Sequence, residues 1–321
     1  MKLDAVFTTL NFYPNRNPQL RLFALWYFCI LISIWTILGH TVLGFEQSYA
    51  HPIVGVATAC VMQFLLEWID ARANGRPPRF AGGLLPMVNM LPPAIIPGLA
   101  CAMLIYPNSR LWPVVFAAAL SIASKVMLRA PVGNGQTQHI FNPSNLGITV
   151  TLLLFPWVGL APPYQFTENV TGAWDWIIPG IILLAGIYIH AKFTGRLPLV
   201  LAWLAGFAAQ ALIRAAVFGM PLVVPFVPVT SAAFTLFTLF MIPDPATTPI
   251  KRSGQIAFGL AVAAIYGLLF VVHVVFGLFI ALCLTSATRG AGLYVRSWLK
   301  RPERVIEPAE LQRPAARATA H

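Results

Sequence analysis

From residue 22 onward the chain is a succession of apolar stretches, most of them close to the roughly 20 residues a helix needs to cross a bilayer. They run over 22–43, 52–69, 82–106, 112–128, 144–160, 176–191, 197–217, 229–242, 255–271 and 274–288. The fold class read from them is all-α, a polytopic integral membrane protein of about ten transmembrane helices. Composition agrees: 58% of the residues are hydrophobic and 10% charged, against roughly one quarter charged in a soluble domain. The segment before the first stretch is polar and mixed, without a small-residue cleavage site, so the first span is expected to stay and act as its own insertion signal.

Lys and Arg set the expected orientation. Lys2, Arg16, Arg21, Arg72, Arg76, Arg79, Lys125, Arg129, Lys192, Arg196, Lys251, Arg252 and Arg289 all fall on one side if every stretch crosses. By the positive-inside rule that side is cytoplasmic, which puts both termini inside. Arg110 and Arg214 fall on the other side with Glu46, Glu168 and Asp175. The net charge of +11 is therefore read as a topology signal, with lipid and not nucleic acid as the partner. Cys29, Cys60, Cys101 and Cys283 stand singly in apolar runs, which gives no disulfide framework and no metal site. The division that follows is an amino-terminal segment 1–21, a first unit of five helices over 22–160, a short extracytoplasmic loop 161–175, a second unit over 176–300 and a disordered cytoplasmic tail 301–321.

Two stretches cannot be regular helices. The third holds Pro86, Pro92, Pro93 and Pro97, and proline inside a helix removes a backbone hydrogen bond. The eighth is short and ends in Pro243, Asp244 and Pro245. Irregular backbone at membrane depth is tolerated where protein or a wet cavity covers it. These two stretches occupy the third place of each half, and an odd repeat length turns the second copy upside down. Two inverted five-helix repeats with broken third and eighth helices are expected, the breaks lining a central site.

Polar residues gather at two places. In HIFNPSNLG (139–147) Asn142 is a helix N-cap and Pro143 the first helical residue, so the fifth stretch starts there. Its unpaired first-turn N–H groups, with Ser144 and the Asn142 and Asn145 amides, suit an electron-rich ring or an anion; taken alone, these residues favour the plainer reading, a well-capped membrane helix with no ligand. In TSAAFTLFTLFMIPDPATTP (230–249), Ser231, Thr235 and Thr238 recur at helical spacing and are expected to face a neighbouring helix. Asp244 is costly at a membrane boundary unless paired or hydrated. Glu67, one turn from the end of the second stretch, is expected to pair with Arg72 or Lys125.

FNPSNLGITVTLLLFP, then SAAFTLFTLFMIPDPATT and KRSGQIAFG, resemble the D subunit of the Rnf electron-transport complex and the B subunit of the sodium-translocating NADH:quinone oxidoreductase. Phe141, Asn142, Pro143 and Gly147 match the family's Phe-Asn-Pro segment, and Asp244, Pro245 and Thr247 its Asp-Pro-x-Thr. Ser231 and Ala233 match its Ser-Gly-Ala-Thr, with Ala232 and Phe234 departing from it. The resemblance implies ten helices in two inverted halves and a flavin, riboflavin or FMN, around these segments. Asn142, Pro143, Ser144, Asn145, Ser231, Asp244 and Thr247 are the cofactor-binding residues expected. The family also carries FMN as a phosphoester on a threonine in a long loop after the fifth helix. Here that loop is short, and Thr171-Gly172-Ala173 is followed by Trp174 where the acceptor would stand. Tryptophan has no hydroxyl, so covalent FMN is not expected, Thr167 and Thr171 being the alternative acceptors.

A membrane electron-transfer subunit with a non-covalent flavin leads the functional readings. It needs redox partner subunits or flavoproteins, because the chain has no GxGxxG after a strand to bind NADH and no iron-sulfur cysteine set. Broken helices in inverted halves also suit a small-solute or ion transporter or channel. A non-catalytic assembly factor that keeps the fold without the cofactor is the third reading.

Overall fold

The computed structural model describes residues 18–133 and 135–299. The amino-terminal segment before Pro18 and the tail expected over 301–321 lie outside the described residues. Helix α1 (Pro18–Leu38) continues through a π-helical turn to Leu43 and is followed by α2 (Ala50–Ala73). The third stretch is broken, as its prolines require: α3 (Leu84–Val88) stops at Asn89, and α4 (Pro92–Leu104) restarts with two prolines in its first turn. Trp26 Nε1 donates to Asn89 Oδ1 at 3.0 Å, which ties α1 to the break. Next come α5 (Trp112–Met127), an antiparallel hairpin of β2 (Arg129–Gly133) and β3 (Gln136–His139), and α6 (Pro143–Leu154). A second small ladder pairs β1 (Ile105–Tyr106) with β4 (Gly159–Leu160).

The second half follows the same order: α7 (Trp174–Ile189, with a π-helical turn to Thr194), α8 (Leu197–Phe218), a broken stretch, α10 (Arg252–Val271) and α11 (Gly277–Leu299). The broken stretch is a 3-10 helix Val224–Thr230, the short α9 (Ala232–Leu236) and a π-helical turn Phe237–Met241, with a bend of 75°. Among the described residues, seven helical stretches are long and apolar enough to cross a membrane, or eight if the bent pair is counted as one span. The fourth and fifth expected spans are shorter than the sequence suggested. At 16 and 12 residues, α5 and α6 reach roughly 24 and 18 Å, short of a core about 30 Å thick. The expected helix 144–160 ends at Leu154 because Phe155 precedes Pro156, and a residue before proline is steered out of the α region. Most of α6 is buried, so it is an interior helix of the bundle.

Small residues let the helices approach. A Cβ on Gly55 of α2 would lie 2.6 Å from Gly98 O of α4, and one on Gly98 2.7 Å from Gly55 O. Without a hydrophobic drive between helices in lipid, such contact supplies much of the association. In the second half, Trp203 and Phe207 of α8 pack with Phe234, Phe237 and Tyr266 in one aromatic cluster, and Trp203 Nε1 donates to Thr238 Oγ1 at 2.9 Å. Thr238 thus faces a neighbouring helix, as its spacing predicts. The outer faces carry exposed Ile37, Ile53, Ile213, Val217 and Leu268, as lipid contact requires.

Glu67 does not take the partners expected for it. Asn74 and Gly75 (φ +61°) turn the chain back after α2, which brings Arg76 Nη1 to 2.6 Å from Glu67 Oε1 and Arg79 Nε to 3.4 Å from Oε2. Arg72 instead lies over the Trp68 ring, 5.2 Å from its centroid, and Lys125 donates to Pro93 O. The carboxylate also accepts from Arg79 N–H at 3.0 Å and holds Arg76 above its ordinary guanidinium value. Since Glu67 is buried, Glu67→Leu is expected to cost about 2 kcal/mol by leaving Arg79 without its carboxylate and Arg76 with Asp70 alone. A thermal melt in detergent within about 0.5 kcal/mol of wild type would contradict that.

Candidate functional site

A partly open cavity of about 160 Å³ lies between the two breaks. Its walls come from α1, α4, α6, the end of α7 and the chain from Leu236 to Ala246, and they are mostly apolar. Phe28 and Phe240 stack on each other there, centroids 4.7 Å apart and planes 4° from parallel. Prolines 93, 97, 143, 243 and 245 add flat faces, because both breaks and the start of α6 are proline-built. Lys125, His139, Asn142, Ser144 and Asp244 bring polar groups to the lining, and so do His190 and Thr194 at the end of α7, which hydrogen-bond to each other.

The start of α6 is organised by Asn142. Its Oδ1 accepts from Asn145 N–H at 3.0 Å and from the Ser144 hydroxyl at 2.9 Å, the N-cap its sequence position predicts. Its Nδ2 donates across the bundle to Met241 O at 3.3 Å and Asp244 Oδ2 at 3.4 Å. Asp244 sits in a tight turn between prolines: Oδ1 accepts from Ala246 N–H at 2.9 Å, and Thr247 Oγ1 donates to Oδ2 at 3.3 Å. Burial raises the Asp244 carboxyl above its ordinary value; the Ala246 and Thr247 hydrogen bonds, Arg196 and Lys125 oppose that rise.

A basic shell stands behind this turn. Arg196 Nε donates to Thr248 Oγ1 at 2.9 Å, and Thr248 Oγ1 donates to Asp244 O at 2.7 Å. Burial lowers the Arg196 guanidinium to about 10, and the nearby Asp244 opposes that shift. Arg289 of α11 donates to Thr247 O at 2.8 Å and to Gln138 Oε1 of β3 at 3.0 Å, which fastens the hairpin to the Asp-Pro turn. Burial, with Arg129 and Lys125 nearby, pushes His139 well below the ordinary imidazole value. Arg129 Nη1 donates to its Nδ1 at 3.3 Å.

The structure therefore divides the residues singled out in the sequence. Asn142, Pro143, Ser144 and Asp244 line one cavity, drawn together from segments about a hundred residues apart. Asn145, Ser231 and Thr247 stand outside its lining. Asn145 points to the other side of α6, where Nδ2 donates to Phe279 O at 3.0 Å and Cys283 Sγ at 3.1 Å of α11. Ser231 is the N-cap of α9, accepting from Phe234 N–H at 3.1 Å. Thr247 braces Asp244 from behind. Sequence reasoning missed Lys125 and His139 as lining residues; the available signal was a lysine inside an apolar helix, which is costly unless it serves a site. Asn145→Leu is accordingly expected to loosen α6 from α11, lowering stability by about 1–2 kcal/mol, while ligand retention per folded chain stays unchanged. A folded Asn145→Leu protein that loses ligand in parallel with an Asn142 variant would contradict this division.

The cavity suits an aromatic ring system with one polar edge. A dry apolar cavity of about 150 Å³ holds a benzene-sized ring, and this one is partly open and ends in donors and acceptors. No curated protein matches the chain. Residues 161–285 match the family model described as the NQR2, RnfD, RnfE family. The match spans the second half of the bundle through the Asp-Pro turn, and the helices long enough to cross a bilayer accord with a membrane family. Over residues 161–285, the chain is similar to the NQR2, RnfD, RnfE family.

Proposed function

We propose that this protein is a membrane subunit of an electron-transport complex of the Rnf/NQR type and holds a non-covalent flavin ring in the cavity between the broken helices. One observation carries the proposal: the family's two motif segments meet at the polar end of a single apolar cavity, Asn142 against Asp244. Bound there, the flavin supplies one- and two-electron chemistry. The chain's own part is to hold the ring: apolar walls exclude water, and the polar end fixes which edge points toward α6. That end lies among the basic loops, on the side the positive-inside rule makes cytoplasmic, so a cytoplasmic flavoprotein or partner subunit is the electron donor. The acceptor is a quinone or a redox centre on the extracytoplasmic side. Trp174, at the start of α7 and without a hydroxyl, replaces the acceptor of a phosphoester, which favours the non-covalent form.

The test is the flavin content of protein purified in mild detergent from riboflavin-replete cells. About one acid-releasable flavin per chain, with no in-gel fluorescence after denaturation, is the expected result. Folded protein without flavin would reject the reading and turn attention to solute flux in proteoliposomes.

A further inference from the structure

Two charged side chains face the cavity without meeting each other. Lys125 comes from α5 in the first half of the bundle, Asp244 from the turn after α9 in the second. Among the described residues they form no ion pair within 4.0 Å, the ion pairs there being those of Glu67 and Asp70 with Arg76 and Arg79. The hydrogen bond the Lys125 ammonium makes is to Pro93 O, a carbonyl left free inside α4 because Pro97, four residues on, has no N–H to give it. An ammonium has three N–H donors, so two are left. The Asp244 carboxylate has about four lone-pair directions. It accepts one short bond, from Ala246 N–H, and two long ones, from Thr247 and Asn142. A cation and a carboxylate set apart in a mostly apolar lining each leave strong hydrogen-bonding capacity unused, which is costly unless a ligand takes it.

We infer that Lys125 and Asp244 together read the carbonyl–N–H edge of the ring in the cavity, the ammonium donating to a ring carbonyl oxygen and the carboxylate accepting the ring N–H. This rests on the flavin reading above and sharpens it, because it says how the site tells a flavin from a quinone. An isoalloxazine offers an imide edge, with carbonyl, N–H and carbonyl in a row, that satisfies both groups. A quinone offers carbonyl oxygens alone; it satisfies Lys125 and turns an acceptor toward the Asp244 carboxylate. Leaving a buried polar group unpaired is the strongest discriminator a site of this kind has. Lys125 and Asp244 are thus specificity-determining residues, and neither requires a covalent bond to the ligand.

The experiment compares riboflavin, N3-methylriboflavin and a short-chain ubiquinone as ligands of the flavin-depleted full chain, followed by quenching of flavin fluorescence and by competition. Wild-type protein is expected to bind riboflavin and to bind N3-methylriboflavin about tenfold or more weaker, since the methyl group removes the donor. In Asp244→Ala that ratio is expected to fall below about threefold, while Lys125→Met weakens both flavins alike. Equal affinity of wild-type protein for riboflavin and its N3-methyl derivative overturns the imide reading and leaves the flavin assignment standing. Binding of neither flavin overturns both, and displacement of riboflavin by equimolar ubiquinone overturns the selectivity. The wild-type ligand series decides the matter even where a variant fails to fold.

Discussion

Gly147→Val is expected to abolish folded protein. A Cβ at Gly147 would lie 2.3 Å from Ala117 O and 2.2 Å from Ser121 Oγ, both on α5. The hydroxyl can rotate away; the carbonyl is helical backbone and cannot. To admit valine, α6 must lift off α5, and because α6 is buried against α4 and α11 as well, no lipid-facing side is open to it. Overpacking of this kind is expected to cost about 3 kcal/mol or more. Size-exclusion chromatography in mild detergent reads the result as loss of the monodisperse peak. Gly147→Val protein that is monodisperse and melts near the wild-type temperature would show that α5 and α6 do not meet as described.

Asn142→Leu is expected to reduce bound flavin from about one per chain to less than about a tenth. The leucine removes the N-cap, a loss of about 1 kcal/mol, and takes the amide from between the cavity and Asp244. Asn142→Asp separates the two roles. A carboxylate still accepts from Asn145 N–H, so the cap survives, while its second oxygen lies where Nδ2 now meets Asp244 Oδ2 at 3.4 Å. Like charges this close disfavour ionisation of both and disturb the acceptor the ring N–H requires. The expected outcome is folded Asn142→Asp protein with flavin content reduced about tenfold or more. Wild-type flavin content in folded Asn142→Asp and Asn142→Leu would remove the Asn-Pro helix start from the site.

The helix starts and the breaks were legible because each depends on local chemistry. Asn142-Pro143 caps α6 wherever that helix is placed, and Pro92-Pro93 disrupts its stretch whatever surrounds it; the eighth stretch was marked by its shortness and by Pro243 and Pro245, while the 3-10 segment with Pro225 and Pro228 begins before the expected bounds. The length of α6 was misjudged because apolar residues 155–160 continue the hydrophobic run after Pro156 has turned the chain away. Glu67 was misassigned for a related reason. Its partners depend on the backbone reversal at Asn74-Gly75, which brings Arg76 and Arg79 closer than the helical neighbour Arg72.

Apolar length, proline placement and the one-sided Lys and Arg fixed a bundle of membrane helices with irregular third and eighth members, because hydropathy and backbone sterics act within a few residues of where they are written. Which polar groups share a cavity was decided by tertiary structure alone. Asn142 and Asn145 stand three residues apart, yet one turns toward Asp244 and the other toward Phe279, since Asn142 is the N-cap with non-helical backbone while Asn145 stands inside the helix. Lys125 reads in the sequence as a topology charge or a partner of Glu67; the free carbonyl of Pro93, on another helix, holds it at the cavity instead. Contacts over such separations depend on how helices pack, and that packing is set jointly by surfaces that no single stretch of sequence contains.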